Sequence, residues 1–132
     1  MPFDPVEAET NAPDLLTRSM RMLAAFGALA CGIAVGMGAY AMHAALVALN
    51  HERLSIAALF LFAHGLALAT LAPGATSRVR QIGLCIVMIG TILFAGSLAL
   101  AALLGIAPAL APLGGSVLML GWLLVALGFL SG

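Results

Sequence analysis

Four long apolar runs, separated by short segments that contain polar residues, proline or glycine, make up most of the chain. They are residues 22–41, 54–72, 82–104 and 113–130. Each has close to the roughly 20 apolar residues that a helix needs to cross a bilayer, and backbone groups in lipid must be satisfied within their own segment. The short connections make successive helices antiparallel. The pattern therefore predicts an all-α membrane protein, a four-transmembrane-helix antiparallel bundle, within residues 20–132.

The composition indicates a membrane protein and limits the partners that can be expected. The 132 residues are 64% hydrophobic and only 8% charged, far below the charged share of about 25% in a soluble domain. There is no lysine, and five arginines balance five acids, so nothing indicates a nucleic acid. The predicted partners are the lipid bilayer and, through helix contacts, other membrane proteins or further copies of the chain.

The arginines predict an orientation. Four would lie on one side of the membrane, before the first span and between the second and third: Arg18, Arg21, Arg78 and Arg80. Only Arg53, in the first loop, would lie on the other side. The positive-inside rule then places both termini in the cytoplasm, as an N-in/C-in protein.

Residues 1–19 are predicted to be a flexible cytoplasmic tail because they contain most of the acids and several prolines. The alternative is a cleaved signal peptide, since Ala39-Tyr40-Ala41 resembles a cleavage site. The first apolar run is longer than the usual core of a signal peptide, about 7–15 residues, and the segment before it is long and acidic. A retained first span is the favoured interpretation.

Small residues recur at a spacing typical of helix contact faces. Span three has Gly83, Gly90 and Ser97 seven residues apart, and span four has Gly114, Gly121 and Gly128. Helices in lipid associate through close backbone approach, so these positions predict a seam between two spans. Further candidate packing residues are Gly96, Gly115, and the pair Gly32 and Gly36. That pair forms a G-x-x-x-G motif, which we expect to pack within the chain, with dimerisation as the alternative.

Few polar groups would lie inside the bilayer, and we expect them in its outer half. The candidate cluster is His43, His64 and Ser97, with Tyr40, Thr91 and Ser116 as further polar residues. His64 is ten residues into its span, or about 15 Å deep. An ionisable residue at that depth suggests function. Without an intramembrane acid or arginine to complete a proton relay, we favour a neutral histidine that forms a hydrogen bond across helices.

No cofactor, metal site or catalytic residue is predicted. His43 and His64 would differ too much in depth to share one haem, and His51, in the first loop, adds no third metal ligand. Cys31 and Cys85 both fall in apolar runs, where they are expected to pack. Phosphate-binding, nucleophile-elbow and zinc-protease motifs are absent, so nothing indicates an enzyme.

Four local patterns, one per span, resemble the YgdD family of small bacterial inner-membrane proteins of unknown function. They are residues 38–43, 60–64, 94–99 and 112–122, which contain G-A-Y-A-M-H, F-L-F-A-H, F-A-G-S-L-A, and P-L-G-G followed by G-W. The resemblance covers residues 22–130. Where the family has a tyrosine-glutamine pair, a serine, a tyrosine and a threonine, this chain has Phe60-Leu61, Ala95, Ala99 and Ala111. These departures remove several hydroxyls and an amide. The resemblance therefore implies that the residues retained here serve helix packing rather than catalysis.

Three functions are consistent with this sequence. The first is a structural or accessory membrane protein that acts through helix–helix contacts, which the small-residue faces and tiny loops favour. The alternative is an oligomeric transporter or channel for a proton or small solute, which only the outer polar cluster favours. A redox subunit that holds haem or quinone is third, because the depths of the histidines argue against it.

Overall fold

The computed structural model describes the backbone of residues 5–131 and the side chains of residues 15–131. It contains four helices, α1 (Pro5–His43), α2 (Ala48–Leu71), α3 (Arg78–Leu104) and α4 (Ala111–Leu130). All four are long and apolar enough to cross a membrane, because each contains one of the apolar runs. The predicted all-α fold with four spans is confirmed.

All four helices begin before the predicted spans, and α1 and α2 do so by the most residues. The backbone of α1 is helical from Pro5, so residues 5–19 belong to the same continuous helix as the first span. The flexibility predicted for residues 1–19 stays a prediction, and residues 1–4 lie outside the described part of the chain. Helix α2 begins at Ala48. Glu52 and Arg53 are therefore helical, and the expectation that His51 lies in a loop is wrong. A helix can run on past the hydrocarbon core, because water and headgroups solvate the polar side chains of its first turns.

Glycine and proline end the helices where the sequence places them. Pro73 and Gly74 follow α2, because proline cannot continue a helix. Helix α3 ends at Leu104, and the next residue, Gly105, has a φ of 68°, in the left-handed region that favours glycine. Pro112 is in the first turn of α4, where its missing N–H costs nothing.

The helices pack as two antiparallel hairpins joined side by side. α1 packs against α2, α3 packs against α4, and α2 joins the two pairs by packing against α3. α1 meets α3 only at an edge, and within the described residues α1 and α4 are not in contact. Among the described residues the bundle is open, and α1 and α4 each have a face on which no other helix packs.

The largest fully buried apolar side chains come from α2, α3 and α4: Leu54, Leu68, Leu84, Val87 and Val125. All but Leu54 belong to one core cluster, to which α1 also contributes Met20 and Leu23. The end of the bundle that carries Arg18, Arg21, Arg78 and Arg80 (the arginine end) is also where α3 starts and α4 stops. There the Ser77 and Ser131 hydroxyl oxygens are 3.3 Å apart.

Helix contact faces and intramembrane polar residues

The heptad glycines of α3 and α4 form a seam of close backbone contact. A Cβ placed on Gly90 would lie 2.8 Å from the backbone nitrogen of Leu118, and one on Gly121 would lie 2.8 Å from that of Val87. On Gly128 it would meet the backbone of Arg80 at 2.6 Å. Real Cβ atoms do not approach backbone so closely, so the separation of these helices requires glycine. Gly83 and Gly114 complete the seam, facing Val125 and Phe94.

A second close contact joins α1 to α2 at two isolated glycines. A Cβ on Gly65 would lie 2.7 Å from the carbonyl oxygen of Gly27, and one on Gly27 would meet the backbone of Gly65 and Ala69. Cys31 lies beside this crossing, and its thiol donates to the carbonyl of Phe62 at 3.5 Å. Sequence reasoning missed both glycines. Neither belongs to a repeat, and their relation appears only when the two helices are placed side by side.

The G-x-x-x-G pair of α1 makes no close contact with another helix in the described part of the chain. A Cβ on Gly32 or Gly36 would have no atom of another helix within 4 Å there, so the expectation that this pair packs internally is wrong. The reason is that α1 packs on α2 through its opposite side. Five small exposed residues share the outward side, which we name the α1 outer face: Ala25, Ala28, Gly32, Gly36 and Ala39.

The two remaining glycine candidates lie outside the close contacts. A Cβ on Gly96 would have nothing within 4 Å, and one on Gly115 would reach only the ring of Phe94 at 3.8 Å. Gly115 follows Gly114 and therefore points about 100° away around the helix. Being next to a contact residue in sequence does not place a residue in the contact.

His64 is half-buried between two aromatic rings. Its Nδ1 lies 2.7 Å from the carbonyl oxygen of Phe60 on the same helix. Because a carbonyl can only accept, Nδ1 carries the proton in this bond. The imidazole stacks on the Phe60 ring at 5.5 Å and faces the Trp122 ring of α4 at 6.0 Å. His64 therefore packs in the groove between α2 and α4, and its hydrogen bond stays within its own helix.

The three residues of the candidate polar cluster are not brought together. His43 is exposed at the end of α1, beyond the depth of His64. Ser97 lies on α3 and lines an apolar cavity of about 440 Å³ with Leu93, Ile106 and Leu110. Among the described residues, no hydrogen bond joins any two of the three. The arrangement therefore does not form a common polar site.

Three other intramembrane hydroxyls, those of Thr70, Thr91 and Ser116, bond within their own helices. Thr91 is fully buried, and its hydroxyl donates to the carbonyl of Val87 at 2.7 Å. Ser116 donates to Pro112 and Thr70 to Leu66 in the same way. Bonding to the carbonyl four residues earlier satisfies a hydroxyl in lipid without help from another helix. These groups therefore do not line a continuous polar path.

The described part of the chain offers no metal ligands in a cluster. No group of three or more histidine, cysteine, aspartate or glutamate residues is close enough there to hold an ion. Cys31 and Cys85 are both free thiols, on α1 and α3. The geometry that the structure does supply is a set of helix contact faces.

Replacing His64 tests whether its ring or its hydrogen bond matters more. His64→Ala is expected to lower the free energy of unfolding by about 0.5–1.5 kcal/mol, because two aromatic contacts are lost. His64→Phe, which keeps a ring, should retain most of the stability in thermal unfolding in detergent. We therefore assign most of the stabilisation by His64 to its ring. If His64→Gln is more stable than His64→Phe, the hydrogen bond contributes more than the ring and this assignment is wrong.

Comparison with known proteins identifies the family. Residues 37–115 match the family described as "Protein of unknown function (DUF423)", a stretch that runs from the end of α1 to the start of α4. The chain belongs to the DUF423 family. The fold and the membrane setting implied by the sequence resemblance agree with this membership, and the narrower YgdD name stays a prediction.

A curated relative of this DUF423 protein is also a membrane protein. It is a UPF0382 membrane protein of Staphylococcus saprophyticus, 33% identical over 117 residues that cover 83% of this chain and 97% of the relative. No solved structure matches the chain significantly. The DUF423 protein is thus an integral membrane protein of a family whose activity is unknown, in a lipid environment.

Proposed function

We propose that this DUF423 protein is a structural or accessory protein that acts through helix–helix contacts. In this proposal the α1 outer face docks a transmembrane helix of another membrane protein. The observation that carries it is the open space around Gly32 and Gly36, on a helix whose other side is already packed. Small residues let two backbones approach closely, which is the main source of helix association in lipid.

The state of the polar side chains supports this role over transport. His64 and Thr91 both bond to carbonyls of their own helices, so neither presents its donor to a solute path. The cavity that Thr91 helps to line, about 270 Å³ between α1, α2 and α3, is otherwise surrounded by apolar residues. A transporter would need polar or ionisable groups facing one another across a bundle interior. The proposal assigns the chain no catalytic activity.

The proposed location is a bacterial inner membrane, with both termini in the cytoplasm. The Staphylococcus relative supports a bacterial membrane, and the four arginines of the arginine end support the orientation. In this orientation the α1 outer face spans the bilayer from Ala25 near the cytoplasmic side to Ala39 near the outer side. A partner helix would therefore have access to it along most of its length.

Leucine at Gly32 and Gly36 tests the proposal. Purification of the tagged wild-type chain in a gentle detergent is expected to recover a stoichiometric membrane protein, identified by mass spectrometry. The double variant Gly32→Leu, Gly36→Leu should lose it, because two bulky side chains would separate the backbones. Since both positions have open space within the chain, the thermal stability of the variant itself should stay close to wild type.

Gly96→Leu is the matched control, because Gly96 also has open space but lies on α3. It should keep the partner. Equal loss in both variants, or no loss in the double variant, would contradict the assignment of the α1 outer face. Recovery of the chain only as a dimer of itself would replace the accessory role with self-association.

A further inference from the structure

A cavity of about 580 Å³ opens at the arginine end, between α1, the α2–α3 loop and the start of α3. Its lining includes Leu16, Thr17, Met20, Arg21, Thr76 and Gln81. This volume is within the range of small-molecule sites. Its walls combine a guanidinium, two threonines and an amide with apolar side chains. It is therefore suited to a ligand with a polar part and an apolar part.

The loop that forms one wall is held by side chains of α3. Arg80 donates to the carbonyl of Gly74, and Gln81 donates to the carbonyl of Ala75 at 2.8 Å. The guanidinium of Arg80 also lies over the Phe129 ring of α4, 5.0 Å from its centre. These contacts fix the loop against both α3 and α4, so the cavity has a preformed wall opposite α1.

The charge that lines the cavity favours an anion. No acid is among its described lining residues; of the chain's five acids, Glu52 is at the opposite end of the bundle and the other four precede residue 15, so the positive charge is local to the cavity. The N-terminus of α3 adjoins the cavity, and Ser77 gives it no side-chain cap, so its first N–H groups add partial positive charge. Arg21 lines the cavity. Arg78 lies at the same end of the bundle and lines the adjoining groove.

A groove of about 330 Å³ lies next to the cavity, between α1 and α3. It shares Leu16, Met20 and Gln81 with the cavity, begins beside Arg78 and continues along Ile82, Cys85 and Ile86. Ile86 is about 12 Å deeper along α3 than Arg78, at 1.5 Å per residue. An arginine-lined cavity thus continues into an apolar groove that points into the bilayer.

We propose that this cavity and groove bind one phospholipid with an anionic headgroup. The phosphate and headgroup occupy the cavity beside Arg21, and an acyl chain follows the groove past Ile82 and Ile86. Guanidinium groups bind phosphate oxygens through charge-assisted hydrogen bonds, and basic residues at a membrane surface attract anionic lipids. This site goes beyond the proposed helix–helix role and can be tested separately from it, because neither Gly32 nor Gly36 lines the cavity or the groove.

Native mass spectrometry of the full-length protein in detergent, with added phosphatidylglycerol or phosphatidylcholine, tests the site. Phosphatidylglycerol should bind one per chain, and more tightly than phosphatidylcholine. Arg21→Gln should weaken phosphatidylglycerol binding about fivefold, the effect of one interfacial charge. Arg21→Lys should keep most of the affinity, and Arg53→Gln, at the opposite end, should keep all of it. Because Arg21 is exposed, its variants should fold, which circular dichroism checks.

Three results would overturn the site. Equal binding of the two lipids would show that headgroup charge does not matter. Equal loss of phosphatidylglycerol binding in Arg21→Gln and Arg53→Gln would show that the lipid does not bind in this cavity. Displacement of the lipid by millimolar inorganic phosphate would show that a soluble phosphate is the ligand. The failure of this test leaves the partner experiment on Gly32 and Gly36 unaffected.

Discussion

Leucine in place of Gly121 is expected to separate α3 from α4 and to lower the thermal unfolding midpoint in detergent strongly. A Cβ at this position would already lie 2.8 Å from both the backbone nitrogen and a methyl carbon of Val87. Overpacking a well-packed contact costs about 1–3 kcal/mol, and here backbone as well as side chains must move. The loss should therefore reach or exceed the upper part of that range.

Gly96→Leu is the control for this experiment, because it makes the same change on α3 where nothing lies within 4 Å. Similar midpoints for Gly121→Leu and Gly96→Leu would mean that α3 and α4 are not held by this seam.

Gly65→Leu is expected to open the first hairpin in the same way. A Cβ on Gly65 would be 2.7 Å from the carbonyl oxygen of Gly27 and 3.0 Å from the Cβ of Ala30. A backbone oxygen has no rotamer by which to move aside, so α1 must shift away from α2. We expect a loss of at least about 1–3 kcal/mol, measured as a lower unfolding midpoint in detergent.

Gly36→Leu provides the comparison for the first hairpin, because Gly36 is on α1 but has open space. It should leave the midpoint close to wild type. A second readout is the rate at which Cys31, beside the crossing, reacts with a small membrane-permeant maleimide. That rate should rise in Gly65→Leu only. Slow reaction in both variants would show that the α1–α2 contact survives.

The spans and the α3–α4 seam were predictable from the sequence because their signals are strong. Twenty apolar residues have no stable place other than a bilayer or a large core. A small residue repeated every seven positions keeps to one face of a helix over several turns. With Gly83 and Gly90 on one helix and Gly114, Gly121 and Gly128 on the next, the two stripes could be matched without coordinates.

The direction in which the G-x-x-x-G motif of α1 faces was not predictable in this way. In a soluble protein, polarity tells the outside of a helix from the inside. In lipid both sides are apolar, so Gly32 and Gly36 have the same sequence signal whether they face α2 or the bilayer. The contact between Gly27 and Gly65 was missed for a related reason, because an isolated glycine does not form a repeated pattern that would mark one face of its helix.

The bonding of the polar residues was also beyond sequence reasoning. The expected interhelical bond of His64 is replaced by one to Phe60, and Thr91 and Ser116 likewise use carbonyls of their own helices. A carbonyl four residues earlier is always within reach of a helical side chain, whereas a partner on another helix depends on rotation and depth. The hydropathy pattern gives the approximate depth of a residue in the bilayer. It gives the rotation of a helix about its axis only where a stripe of small residues marks one face.

The hairpin arrangement has a consequence for how the chain is made. Each tight contact joins helices that are neighbours in sequence, with α1 on α2 and α3 on α4. The Gly27–Gly65 crossing can therefore close while α3 is still being synthesised, and the seam of the second pair needs nothing from α1. Biogenesis can proceed as two successive insertions of a helical pair at the translocon, so that no single apolar helix has to wait in the membrane for a distant partner.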